Sequence, residues 1–216
     1  HNAVDRHVAA RPDQPALIHV STETGEERVL SYGQLHVEVQ RMAAVLQSLG
    51  VNKGDRVLIY MPMIPEAVIA MLATVRIGAI HCVVFGGFAS HALASRIDDA
   101  APTVIVTADA GSRGGKVIPY KPLLDEALRL SEHKVAHVVL VNRGLASADM
   151  ITPRDVDYAL ARKLHMDAMV PCEWVESTHP SYILYTSGTT GKPKGVQRDS
   201  GGYAVALAAS MEHIYQ

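Results

Sequence analysis

Cysteine is nearly absent from this sequence: Cys82 and Cys172 are the two in a chain of 216 residues. They share no Cys-x-x-Cys spacing, so neither a zinc ribbon nor a disulfide framework has its starting material. Two unpaired thiols fit a reducing, cytoplasmic setting. An excess of charge of one sign is also lacking. Twenty Lys and Arg against 22 Asp and Glu leave a formal net charge of −2, which gives nucleic acid no overall basic footprint to bind. Long apolar runs are missing. The longest helix-like stretch, residues 67–75, is far short of the ~20 residues needed to cross a bilayer, and no apolar leader opens the chain. Neither nucleic acid nor membrane is therefore an expected partner. The eleven histidines are scattered and suggest no metal cluster.

What is present is a globular composition, with 48% apolar residues. A chain of this length buries roughly 70% of its unfolded surface and needs no staples. Short apolar runs alternate with helical periodicity. Residues 16–20 and 28–30 flank a polar turn and predict a hairpin. Ser31 with Gln34 forms a capping-box pattern ahead of Leu35, Val39, Met42, Leu46 and Leu49, and Gly50 ends that helix. Residues 57–61 read as a strand buried on both faces, and residues 80–85, 103–107, 135–141 and 182–185 as further strands. Helices are expected from Pro65 to Ile77 and over 90–100, 122–130 and 155–164, with a last Ala-rich helical segment over 203–215. Strands alternating with helices predict an α/β fold with a mainly parallel sheet covered by helices on both faces. Met42, Met61, Met63 and Met71 are expected in the core, and Trp174, the single tryptophan, in packing.

One loop stands apart. Thr186, Ser187, Gly188, Thr189, Thr190, Gly191, Lys192, Pro193, Lys194 and Gly195 follow a strand. Glycines let backbone approach a ligand. Hydroxyls, freed N–H groups and lysines suit phosphate oxygens. A solvated surface loop has the same composition, so both readings stay open on composition alone. The Walker spacing does not apply, because Gly188 and Gly191 are too close and Pro193 follows Lys192. Two further places suit an anion or nucleotide. Phe85, Gly86 and Gly87 lie at the carboxyl end of a predicted parallel strand, where open α/β sheets bind ligands; a plain strand-to-helix turn is the alternative. Arg113 and Lys116, two cations around two glycines, suit a phosphate; a solvated basic loop is the alternative. Lys121 adds charge nearby without a motif.

The stretch YTSGTTGKPKGV, residues 185–196, resembles the phosphate-binding signature of the acyl-adenylate-forming enzymes. Residues 55–89 look like the short-chain acyl-CoA synthetases, and residues 108–128 and 195–211 like their propionate–CoA ligase branch. Gln197-Arg198-Asp199 stands where acetyl-CoA synthetases carry a His-Thr pair, and Lys116 stands where they often have Arg. The resemblance covers essentially the whole chain.

It implies the N-terminal part of the large domain of an AMP-forming ligase, with MgATP, coenzyme A and a short-chain carboxylate as small-molecule partners. Propionate is the first candidate acid, and acetate or acetoacetate are the alternatives. Residues 186–192 and Lys194 would hold the ATP phosphates. Phe85, Gly86, Gly87, Arg113 and Lys116 would meet coenzyme A, the last two at its 3′-phosphate. The acid pocket, the small C-terminal domain and its catalytic lysine would lie downstream, so this piece alone is expected not to turn over; a first residue that is His1 and not Met fits a chain that begins inside a longer protein. A non-catalytic nucleotide- or phosphate-binding module is the reading from another class.

Overall fold

The helix starts and stops follow the local chemistry. In the computed structural model, which describes residues 1–21, 24–186 and 193–215, helix α1 (Asp5–Ala10) precedes an antiparallel hairpin of β1 (Pro15–Val20) and β2 (Glu27–Ser31). Ser31 then caps α2 (Tyr32–Ser48). Its hydroxyl accepts the Gln34 N–H, and the Gln34 side chain accepts the Ser31 N–H at 2.9 Å, closing the capping box. Leu35, Val39, Met42 and Leu46 are buried along one stripe of α2.

From β3 (Arg56–Met61) the chain winds through α3 (Pro65–Arg76), β4 (Ile80–Phe85), α4 (Ser90–Ala100) and β5 (Val104–Ala108). A small hairpin follows, β6 (Ala110–Arg113) and β7 (Lys116–Pro119), and then α5 (Tyr120–Leu130), β8 (His137–Val141), β9 (Asp155–Asp157) and α6 (Tyr158–Leu164). The described chain ends with β10 (Pro180–Thr186), β11 (Lys194–Asp199) and α7 (Ser200–His213). The main sheet has seven strands in the order β11-β10-β4-β3-β5-β8-β9. All pairs are parallel except β10 with β11.

Alternation along β3 divides the core. Val57, Ile59 and Met61 pack with Val39, Leu46 and Ile69 on one face. Leu58 and Tyr60 pack with Leu93, Ile97 and Leu124 on the other. The predicted parallel sheet with helices on both faces is therefore the observed one.

Four local expectations change. Residues 155–164 are not one helix: Asp155–Asp157 first pairs with β8 as an edge strand, and Asp157 then caps α6 by accepting the Leu160 N–H. The residues after β5, over which no strand is predicted, fold into the β6–β7 hairpin. Met63 is 88% exposed and Trp174 76% exposed. Met63 lies past the carboxyl end of β3, beyond the reach of the core, and Trp174 lies beside the ring of His1 at the surface. No described helix is long and apolar enough to cross a membrane.

Candidate functional site

Parallel strands bring the carboxyl ends of β3, β4, β5, β8 and β10 to one edge of the sheet. Met61 is level with Phe85, and Leu184 with Val83. Two of the three glycine-bearing segments singled out in the sequence, those after β4 and β10, begin at that edge, which is where α/β sheets bind ligands.

Thr186 ends β10 and Lys194 begins β11. The two are register partners across the antiparallel pair, and both are exposed. The predicted loop thus starts and finishes on paired strand ends, and Lys194 and Gly195 belong to β11 itself. Ser187, Gly188, Thr189, Thr190, Gly191 and Lys192 lie outside the described residues. The root of this segment is anchored from below. Tyr185 donates its hydroxyl to Asp99 Oδ2 at 2.6 Å, and burial, together with that carboxylate, pushes its phenol well above the ordinary value. Gly195 presses on the same group: a β-carbon there would lie 3.3 Å from the Tyr185 ring and 3.4 Å from Asp99 Oδ2.

At the end of β4, Phe85 turns its ring outward, 63% exposed, edge-on to Phe88. Gly86 has a packing reason to be glycine. A β-carbon there would meet the Tyr120 hydroxyl at 2.2 Å, and one on Gly111 would meet it at 2.5 Å. The Tyr120 ring is therefore wedged between the turn after β4 and the root of the β6–β7 hairpin. Tyr60 closes the same turn from beneath, donating its hydroxyl to the Phe88 carbonyl at 3.1 Å.

Arg113 and Lys116 come together as the last pair of the β6–β7 hairpin. Gly114 and Gly115 between them have φ values of 57° and 76°. Two successive positive values make a type I′ turn, whose twist matches the flanking strands. Directly opposed residues share a face of the hairpin, so the two cations lie side by side. Both are exposed, and neither side chain makes an ion pair among the described residues. The hairpin is held at its base by Asp109, a buried carboxylate. It accepts the N–H groups of Arg143, Leu145 and Ala146 at 2.9, 2.8 and 3.1 Å, tying the hairpin to the loop after β8.

Lys121 is not an available cation. It is buried, with its ammonium 2.7 Å from Asp125, 2.8 Å from Asp155 and 2.8 Å from the Asp149 carbonyl. Arg154 completes the cluster against both carboxylates. Cys82 is buried, and its thiol is pushed up to about 12, mainly by desolvation, so it is not poised for nucleophilic chemistry. His133 and His137 stand four apart, the spacing two metal ligands on a helix would use, but they share no helix face. His133 lies beyond α5, 2.9 Å from the Pro102 carbonyl, and His137 opens β8. No group of three or more metal-ligating side chains occurs among the described residues.

Sequence reasoning missed Tyr120, Asp109 and Arg96. Arg96 lies under the Phe88 ring at 4.1 Å and near the Tyr185 ring at 5.4 Å. Only the Gly86-Gly87 pair hinted at a close neighbour.

Comparison with known proteins bears on the family and the fold. A family model described as "AMP-binding enzyme" matches residues 4–216. The propionate–CoA ligase of Escherichia coli (strain K12) is 62% identical over 215 residues, covering 100% of this chain and 34% of that protein. An acetyl-coenzyme A synthetase of Methylorubrum extorquens (strain PA1) is 50% identical over 215 residues, covering 99% of this chain and 33% of its own length. The solved acetoacetyl-CoA synthetase from Streptomyces lividans superposes with a TM-score of 0.86 at 32% identity, covering 95% of this chain and 31% of that one. The chain spans about a third of the length of the curated relatives it matches.

Proposed function

The chain belongs to the AMP-binding enzyme family, and from that membership we propose that the protein carrying it is an AMP-forming ligase that converts a short-chain carboxylate, propionate foremost, to its CoA thioester. The carboxylate oxygen attacks the α-phosphorus of ATP and pyrophosphate leaves. The CoA thiol, losing its proton, then attacks the acyl carbon of the adenylate and AMP leaves.

The first step brings two anions together. Its physical demand is a set of donors and cations already in place when charge shifts to the leaving pyrophosphate. Residues 186–192 and Lys194 are assigned that task, with Mg²⁺ entering as part of the nucleotide substrate. The paired ends of β10 and β11 support the assignment, because they hold the roots of the segment at a fixed separation.

Coenzyme A is assigned to the neighbouring turn and hairpin. Phe85 offers an exposed ring for its nucleotide, and Gly86 and Gly87 offer backbone. Arg113 and Lys116 offer adjacent cations to a phosphate. Arg supplies a fork and Lys a point charge.

The observation that carries the reading is the 62% identity over the whole chain to a propionate–CoA ligase. The test is propionate-dependent ATP–pyrophosphate exchange and CoA thioester formation by the full protein, run beside acetate and acetoacetate. Propionate is expected to give the highest kcat/KM. Arg113→Gln should raise the KM for CoA about tenfold, the scale of one charge-assisted contact, and leave exchange unchanged. No exchange with any of the three acids overturns the ligase reading. A CoA KM unmoved by Arg113→Gln overturns the hairpin assignment alone.

A further inference from the structure

Arg96 is a buried cation that forms no ion pair among the described residues. Its residue is 6% exposed. One terminal nitrogen donates to the Ala92 carbonyl of its own helix at 2.5 Å. Its Nε is buried and has no hydrogen-bond partner among the described residues. An uncompensated charge in the interior is costly. What Arg96 has instead is two ring faces, Phe88 at 4.1 Å and Tyr185 at 5.4 Å, both within cation–π range.

The positions of those rings are the point. Phe88 closes the Phe85-Gly86-Gly87 turn, its N–H bonded to the Phe85 carbonyl at 3.2 Å. Tyr185 immediately precedes Thr186. One turn further along α4, Asp99 accepts the Tyr185 hydroxyl and abuts Gly195 at the far root of the same segment. A single turn of α4 therefore grips the turn after β4, the end of β10 and the start of β11.

We propose that Arg96 is a positioning residue that couples the two ligand-bearing segments: held between Phe88 and Tyr185, it makes order at one segment favour order at the other. Its ligand side rests on the assignments proposed above; its mechanical side does not. Coupling of this kind is reciprocal. Phosphate held at the paired ends of β10 and β11 tightens the Phe85–Gly87 turn, and a ligand on that turn tightens the strand ends. In a ligase the nucleotide step would thereby prepare the surface used by the thiol.

The experiment is hydrogen exchange on the full chain, with and without Mg–pyrophosphate as the probe. Without the probe, Arg96→Met should speed exchange of segments 85–89, 183–186 and 194–196 together, by roughly tenfold, and leave β3 and β5 unchanged. Arg96→Lys, which keeps a cation, should restore most of the protection. Phe88→Leu removes a ring and no charge. It should give the same paired response, and it covers the case in which Arg96→Met does not fold. With the probe, the wild-type chain should gain protection at 85–89 as well as at 183–186, and Arg96→Met at 183–186 alone. Loosening of one segment without the other overturns the coupling, as does failure of Lys to rescue, or persistence of the remote protection in Arg96→Met. If Mg–pyrophosphate protects nothing in the wild-type chain, the phosphate assignment falls, and the probe-free comparison still decides the coupling.

Discussion

Tyr120 and Gly86 interlock. The hydroxyl of Tyr120 stands 2.2 Å from where a β-carbon on Gly86 would sit, although the two residues are far apart in sequence. The glycine admits the ring, and the ring fixes the turn against the β6–β7 hairpin.

Gly86→Ala should therefore lower stability by about 1–3 kcal/mol, the usual scale for overpacking, read as a lower urea midpoint. Tyr120→Phe in the same chain removes the clashing oxygen and should recover part of the loss. A midpoint unchanged by Gly86→Ala would show that the ring can move aside freely.

His81 gives the fold a pH dependence. It stacks on Tyr182, with ring centroids 5.4 Å apart, and its Nδ1 is buried without a hydrogen-bond partner among the described residues. Burial lowers its pKa to about 4 from 6.5. Between those values the unfolded chain binds the proton and the folded chain does not. The contribution of His81 to stability is thus complete above about pH 6.5 and declines as pH falls toward 4. His81→Phe keeps the ring and removes the titration, so its urea midpoint should change less than the wild-type midpoint between pH 7 and 4.5. Parallel curves would exclude His81 as the source.

The cluster of Lys121, Asp125, Arg154 and Asp155 is expected to be intolerant of single cuts. Lys121→Met leaves the buried Asp155 carboxylate and the partly exposed Asp125 short of a cation and should cost about 3–5 kcal/mol. Pairing it with Asp155→Asn should recover part of that, a non-additivity read in a double-mutant cycle. Burial alone would raise the Asp155 carboxyl, but bonds from Arg154 and Lys121 hold it below the usual range. Its contribution is therefore present above about pH 4 and lost as pH falls below it. An additive cycle would show that the two residues do not share an interaction.

The sheet and its helices were legible because their signals are local. Ser31 with Gln34, Gly50 and Pro65 each act within a few residues. The apolar runs of β3, β4, β5 and β8 have no other use. What stayed hidden depends on partners distant in sequence. Strand β11, Lys-Gly-Val-Gln-Arg-Asp, is exposed throughout and exists only by pairing with β10. Strand β9 is three residues beside β8. Met63 and Trp174 have apolar side chains but lie on connections that never reach the core. At the candidate site, Arg113 and Lys116 were readable from the two glycines between them. The wedge of Tyr120 and the cation–π contacts of Arg96 were not, because no spacing rule places a side chain from another helix.

The parallel pairing of β4 with β10 also bears on how the chain comes off the ribosome. His81 is level with Tyr182, so one flank of β4 stays unpaired until about a hundred more residues have been made. At roughly 5–20 residues per second, that is an interval of about 5–20 s. During it, β3, β4, β5 and β8 can associate while an apolar strand edge remains open, the condition under which nascent chains stick to one another. Slower translation after β4 lengthens that exposure, so chaperone dependence during synthesis should concentrate between the emergence of β4 and that of β10.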